Sequence, residues 1–294
     1  MATLRIGKLF HLTPLVDDLD GAVEFFTSVF APLVYYRGYA AHWHREASLM
    51  AIADSIIEPL LPLPPADGAV GTSWFRYMES FGPRVHNVAI YCDDLESLAA
   101  RLDERGVRYT DAGVSTTLFI HPKDSPGMLE FSTSTWSQSG DPRFSPRWDD
   151  FARDYWAHRL PLGLERLSHI TTVVRDRDAA REFYTGALDA VVLPEQPGID
   201  AATSHFVVVG EGVVFELAEP SGPGRPADEL ERCGEGVIGV TFKVRDLDAA
   251  RTYLANREAG EIHEGPGRLS FDASRTWGCE YAFGDRALEG DRRQ

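Results

Sequence analysis

Four times along the chain, a short apolar run leads through an acidic turn into a segment whose apolar residues recur at helical spacing. The copies are HLTPLVDDLDGAVEFF from His11, HNVAIYCDDLESLAARL from His86, HITTVVRDRDAAREFY from His169 and IGVTFKVRDLDAARTYL from Ile238. Each predicts a strand followed by an amphipathic helix, as the spacings Leu19, Val23, Phe26 and Leu95, Leu98, Leu102 illustrate. The carboxylates at Asp18, Asp94, Asp176 and Asp246 fall where a helix begins. There they accept orphan backbone N–H groups and oppose the positive end of the helix dipole.

The acidic turns are 76, 82 and 70 residues apart, and short β-like runs such as HFVVVG, VVFELAEP, TTLFIHP and GMLEFST fill the intervals. Each unit therefore reads as βαβββ. A β-rich unit of this size cannot cover both faces of its own sheet, so the units are expected to pair. The fold class that follows is α+β, with four modules making two cupped sheets. From about Ser132 to Gly163 the pattern breaks into a polar stretch carrying Gly140, Trp136, Trp148 and Trp156, within which DDFARDYWAHRL suggests a short helix. This divides the chain into an N-terminal domain (1–135), a connector packed on the body (136–163) and a C-terminal domain (164–294).

Composition adds exclusions. With 294 residues, 44% hydrophobic and 25% charged, the chain is an ordinary globular protein long enough for two domains. No apolar run approaches the ~20 residues needed to span a bilayer, and MATLRIGKLFHLTPLVDD lacks the pattern of a secretory signal. Three isolated cysteines, Cys92, Cys233 and Cys279, fit reduced thiols, so the expected compartment is the cytoplasm. A formal charge of −16 disfavours nucleic acid and anionic membranes as partners. The expected partner is a small-molecule substrate. A homodimer is compatible with the sequence, yet four units complete two cups within one chain and do not require one.

Candidate chemistry appears when the halves are aligned without a gap. His11 and His169 are 158 residues apart, as are Glu58 and Glu216, so the His-to-Glu separation is 47 in both halves. The second unit adds His86 and, 44 residues later, Glu130. The last unit has Ile238 or Gly239 in place of a histidine. Its carboxylate candidate is Glu280, although aligning Gly278 on Gly127 would instead put Tyr281 opposite Glu130. His86 lies eight residues before its acidic turn where His11 lies seven, and one residue on a strand reverses the side chain. Asn87 holds the in-register position. A bulge would bring His86 round, and imidazole is the better ligand. HWHRE is read as a strand placing His42 and His44 on one face, lining either the pocket or an exposed edge. SGPGRP lacks the following Lys-Ser/Thr helix start of a phosphate loop, and no Ser-His-Asp pattern or nucleophile elbow occurs.

The repeated βαβββ unit with His on its first strand and Glu on its last resembles the vicinal oxygen chelate superfamily, and HPKDSPGMLEF resembles the matching segment of methylmalonyl-CoA epimerase. The resemblance covers nearly all of the chain outside the connector. It implies paired modules forming a cupped sheet, and one divalent metal ion held by His11, Glu58, His86 and Glu130. Zn, Mn, Fe, Co and Ni all suit imidazole with carboxylate and are not distinguished by it. It also implies that Glu58 or Glu130 acts as base while the ion polarises a carbonyl or vicinal oxygen, as in glyoxalase I-like isomerases, epimerases and lyases.

Two alternatives stand beside that expectation. One is an Fe(II) extradiol-type or keto-acid dioxygenase. In such two-domain relatives the active ion sits in the C-terminal half, which here has lost a histidine and keeps His169, Glu216 and Glu280. The other is a non-catalytic binding or resistance protein whose cup is lined by VYYRGY and TSWFRYM. His169 and Glu216 are either a second site or a remnant of duplication.

Overall fold

The computed structural model describes residues 4–41, 43–65, 72–110, 116–137, 140–257 and 260–293. His42 lies outside the described residues, as does the side chain of Trp136.

The first module comprises β1 (Ile6–Leu15), α1 (Leu19–Phe30), β2 (Leu33–Ala40), β3 (Arg45–Ile52), β4 (Ser55–Ile57) and β5 (Leu60–Pro62). Helix α2 (Thr72–Phe81) leads to the second module: β6 (Arg84–Cys92), α3 (Leu95–Glu104), β7 (Tyr109–Thr110), β8 (Thr117–Ile120) and β9 (Met128–Ser132). The connector holds α4 (Ser134–Ser137), a 3-10 turn at Pro142–Phe144, α5 (Trp148–Ala152) and a wide π-type turn at Arg153–Arg159. The third module is β10 (Leu164–Val173), α6 (Arg177–Leu188), β11 (Val191–Val192), β12 (Ala202–Val209) and β13 (Val213–Pro220). Helix α7 (Arg225–Cys233) joins it to the fourth: β14 (Gly236–Val244), α8 (Leu247–Ala255), β15 (Ile262–Gly265), β16 (Arg268–Phe271) and β17 (Glu280–Gly284).

Modules pair as the repeat predicts. The first sheet runs β2-β3-β4-β1-β6-β9-β8-β7, with β5 beside β1 and β3, and the second runs β11-β12-β13-β10-β14-β17-β16-β15. In each, the two first strands of a module pair meet antiparallel at the centre, β1 on β6 and β10 on β14. All four expected acidic caps form. The Asp18, Asp94, Asp176 and Asp246 carboxylates accept backbone N–H groups of the first turns of α1, α3, α6 and α8. Asp246 accepts two such bonds at 2.9 Å, from Asp248 and Ala249. Asp246→Ala is accordingly expected to cost ~1 kcal/mol, read from the urea unfolding midpoint.

One continuous core lies between the sheets. Phe25, Phe26 and Phe30 of α1 pack edge-on or tilted against Phe242, Phe271, Tyr281 and Phe283 of the second sheet, with ring centroids 5.0–6.3 Å apart. Trp156 Nε1 donates to Phe30 O and Trp148 Nε1 to Ala53 O, both at 2.9 Å, so the connector is sewn onto the N-terminal half. Its Asp141–Arg143 ion pair (2.7 Å) is almost fully buried, and Arg143 also donates to Phe10 O and Asp54 O. With the inner faces filled by helices, the opposite face of each sheet curls round a cavity. No helix among the described residues is long and apolar enough to cross a membrane.

Candidate active site in the N-terminal cup

The first cup encloses about 410 Å3. Strand alternation decides which residues reach it. On β1, Leu9 and Leu12 enter the core, while His11 and Thr13 face the cup, with Phe10 beside them at a register shift. On β9, Leu129 and Phe131 go to the core and Glu130 to the cup. Glu58 sits in the break between β4 and β5 that Pro59 imposes, with its N–H on Leu12 O at 2.7 Å. Tyr35, Tyr36, Trp43, Trp74 and Phe119 supply an aromatic wall, to which both VYYRGY and TSWFRYM contribute as expected of a lining.

β6 does contain the anticipated irregularity. Thr13 pairs with Asn87 and Pro14 with Val85, so His86 is the extra residue. The bulge nevertheless leaves His86 outside the first cup and puts Asn87 in it. His86 opens instead onto a neighbouring hollow of about 320 Å3, its ring edge-on to Tyr77 at 4.8 Å. Of the four residues expected to share an ion, the structure gathers His11, Glu58 and Glu130 on one cavity and places His86 behind Asn87.

HWHRE is also resolved differently from its reading as a strand. Ala41, Trp43 and His44 lie in turn conformation, and His44 has a left-handed φ of 46° and contacts the Tyr39 hydroxyl at 2.9 Å. Trp43 enters the cup wall. Arg45, which no repeat or spacing singles out, dominates the site. Its Nη2 lies 3.0 Å from Glu58 Oε1, and its guanidinium stacks 4.8 Å over the Trp74 ring.

The polar groups form two linked sets. Thr13 Oγ1 donates to Glu58 Oε2 (3.4 Å) and so accepts from His11 Nδ1 (2.9 Å), which lies 3.3 Å from the same carboxylate oxygen. Burial lowers the His11 pKa to about 4 against the pull of Glu58, so the imidazole is neutral near pH 7. On the other side, Asn87 Nδ2 donates to Glu130 Oε2 (2.8 Å) and Ser132 Oγ to Oε1 (3.0 Å). Burial, and then the charge of Glu58, push Glu130 up to about 7. The cup thus holds one carboxylate neutralised by arginine and a second poised to exchange a proton near neutrality.

The C-terminal cup differs where it matters. His169 Nε2 is 3.5 Å from Glu216 Oε2, but Glu216 is saturated by Thr171 Oγ1 (2.6 Å), Ser204 Oγ (2.8 Å) and Ile199 N (2.5 Å). Gly239 pairs with Thr171 as Asn87 pairs with Thr13. Ala282 pairs with Thr241 where Glu130 pairs with Ala89, so Ala282, and neither Glu280 nor Tyr281, is the counterpart of Glu130. Glu280 faces the cavity two residues earlier, tied to Arg225 (2.8 Å) and Arg268 (3.1 Å), while Tyr281 is buried in the core.

Comparison with known proteins fits this duplicated geometry. Residues 9–188 match the family described as glyoxalase-like domain, and residues 168–273 match the glyoxalase/bleomycin resistance protein/dioxygenase superfamily. The chain belongs to the vicinal oxygen chelate superfamily. Among solved structures it resembles a mutant of 4-hydroxymandelate synthase from Streptomyces coelicolor, with a TM-score of 0.72 at 16% identity over 97% of this chain and 95% of that one. A hypothetical protein from Staphylococcus aureus gives 0.58 at 14% identity over 95% and 99%. A xylose isomerase-like TIM barrel/4-hydroxyphenylpyruvate dioxygenase fusion protein gives 0.61 at 13% identity, over 98% of this chain and 50% of that one. Likenesses at such identities establish the fold alone. No curated protein sequence matches significantly.

Members of this superfamily use a divalent metal. In this chain the donor set does not fit such an ion. A guanidinium already supplies the positive charge beside Glu58, and a carboxamide stands where the second imidazole would. Among the described residues no three His, Cys, Asp or Glu side chains are arranged to hold a metal.

Proposed function

We propose that the N-terminal cup is an acid–base site that moves a proton next to the carbonyl of a small oxygenated substrate with an apolar body. The reaction class is isomerisation or epimerisation. The carrying observation is Glu130, a buried carboxyl at about 7 that faces an aromatic cavity opposite a fixed cation. A base works best with a pKa near the operating pH. In this reading the Glu130 carboxylate takes the proton alpha to the carbonyl. Electron density moves onto the carbonyl oxygen, where the Arg45 guanidinium held by Glu58 stabilises it, and the proton then returns to carbon. Arg45 Nε and the Tyr35 hydroxyl are buried donors without a hydrogen-bond partner among the described residues, and an oxygen-bearing ligand would supply acceptors beside both.

The test is exchange of carbonyl α-protons for deuterium in D2O, followed by proton NMR over a set of small aryl ketones and 2-keto acids. Exchange by the wild type that Glu130→Gln abolishes is expected. Compounds that bind yet never exchange would instead mark a sequestering protein, the reading that the aromatic lining favours next.

A second reading keeps the divalent ion, because three of the four residues the superfamily pattern implicates do open on this cup. Elemental analysis of the purified protein separates the two. Well under one equivalent of Zn, Mn, Fe, Co or Ni is expected. One equivalent that disappears in His11→Ala but persists in His169→Ala would return the site to metal chemistry.

A further inference from the structure

Among the described residues no hydrogen bond reaches Nε2 of His86, which lines this second hollow, and three aromatic side chains, Trp43, Trp74 and Phe119, line both it and the first cup. The polarity of that nitrogen follows from the chain of bonds leading to its ring. A carboxylate only accepts, so Asn87 must present Nδ2 to Glu130 Oε2 (2.8 Å) when Glu130 is ionised. The amide is then oriented with Oδ1 toward His86 Nδ1 (2.9 Å), and an amide oxygen also only accepts. His86 Nδ1 must therefore carry the ring proton. The neutral tautomer so fixed has a bare Nε2 lone pair. His86 is nine-tenths buried, and it shares the hollow with apolar Ile120, Pro122 and Met128, the shared aromatic rings, and the polar side chains of Ser73, Thr110 and His121.

We infer that the ligand of this protein is bipartite. Its carbonyl end occupies the first cup. A second, apolar part ending in a hydrogen-bond donor such as a phenolic hydroxyl occupies the adjoining hollow and donates to His86 Nε2. His86 is in this sense a specificity residue, and Asn87 couples it to the reacting carboxylate. The inference rests on the acid–base reading of the first cup, and its test separates the two.

The probes are 4-(4-hydroxyphenyl)butan-2-one and its methyl ether, which differ in the donor and in one added methyl group. Binding is measured by calorimetry at about pH 8.5, where Glu130 is ionised. The hydroxyl compound is expected to bind about tenfold more tightly than the ether, the worth of one buried hydrogen bond with an otherwise unpaired partner. His86→Leu should erase that preference. His86→Gln, which keeps an acceptor on a side chain of similar reach, should retain part of it and covers the case in which the leucine variant fails to fold. In the wild type, the His86 Nε2 15N resonance should move upfield with the phenol and stay in place with the ether. Equal affinity of the two ketones, failure of the phenol to bind at all, or a preference that survives His86→Leu overturns the inference. Deuterium exchange in the same samples reports separately on the first cup. A His86-dependent preference without exchange sinks the acid–base reading alone, and exchange without preference sinks the bipartite ligand alone.

Discussion

Glu130→Gln is expected to lower α-proton exchange by about 10²–10⁴-fold, the range a positioned general base contributes, with little change in ligand affinity. Glutamine keeps the shape: its one carbonyl oxygen can accept from Asn87 Nδ2 while its NH2 donates to Ser132 Oγ, a hydroxyl able to accept, so a loss confined to turnover identifies the proton acceptor and not a packing defect. Since the base must be ionised, the wild-type rate should rise with pH through about 7 and then level off. A flat profile between pH 5 and 9 would remove Glu130 from the chemistry.

Stability gives the same residue a readout that needs no substrate. The Glu130 pKa is raised in the folded protein, so between the unfolded value of about 4.5 and about 7 the native state holds a proton that the unfolded chain has lost. The contribution is fully present below the lower value and disappears as pH rises through the upper one. Glu130→Gln should therefore match the wild type near pH 4 and be the more stable protein near pH 8, by a few kcal/mol, measured by urea unfolding at both pH values.

Arg45→Met is the second large effect. It removes the cation 3.0 Å from Glu58 and the stack on Trp74, leaving a carboxylate that is only 3% exposed with no opposite charge beside it. Breaking a buried pair from one side typically costs about 3–5 kcal/mol, because the orphaned charge keeps its desolvation penalty. Arg45→Met with Glu58→Gln should recover most of the loss, since the orphan is then neutral. If the double variant is as unstable as the single one, Arg45 acts through packing and not through charge. The single variant should also lose exchange activity, because no other lysine or arginine among the described residues lines the cup.

Much of this site was readable as linear pattern, and its failures have local causes. His11, Glu58 and Glu130 reach one cavity because period-two alternation and the repeat register are properties of sequence spacing. The one-residue offset at His86 was equally visible, and so was the need for a bulge. The direction in which the bulge turned was not. It is set by how β6 pairs with both β1 and β9, which keeps Asn87 beside Thr13 and gives the extra residue to the neighbouring hollow. Arg45 is not legible as a site residue, because its partner Glu58 is 13 positions away across a turn and no periodicity links them. The Glu280 register failed for a related reason: Gly127 and Gly278 both adopt positive φ, yet the ladder resumes one residue later after Gly278.

The sequence by itself determined the four strand–cap–helix modules, their pairing into two sheets, and the faces on which the histidines and glutamates lie. Those features depend on interactions between residues close along the chain, or on a period that repeats. The tertiary structure alone decided the electrostatics of the cup. Burial raises Glu130 and keeps His11 neutral, and the folding of β3 alongside β4 and β5 brings Arg45 onto Glu58. Desolvation and charge pairing depend on what surrounds a group in three dimensions, and that is why a pattern that spelled out four metal ligands folded into a site where an arginine and a carboxamide face two carboxyl groups.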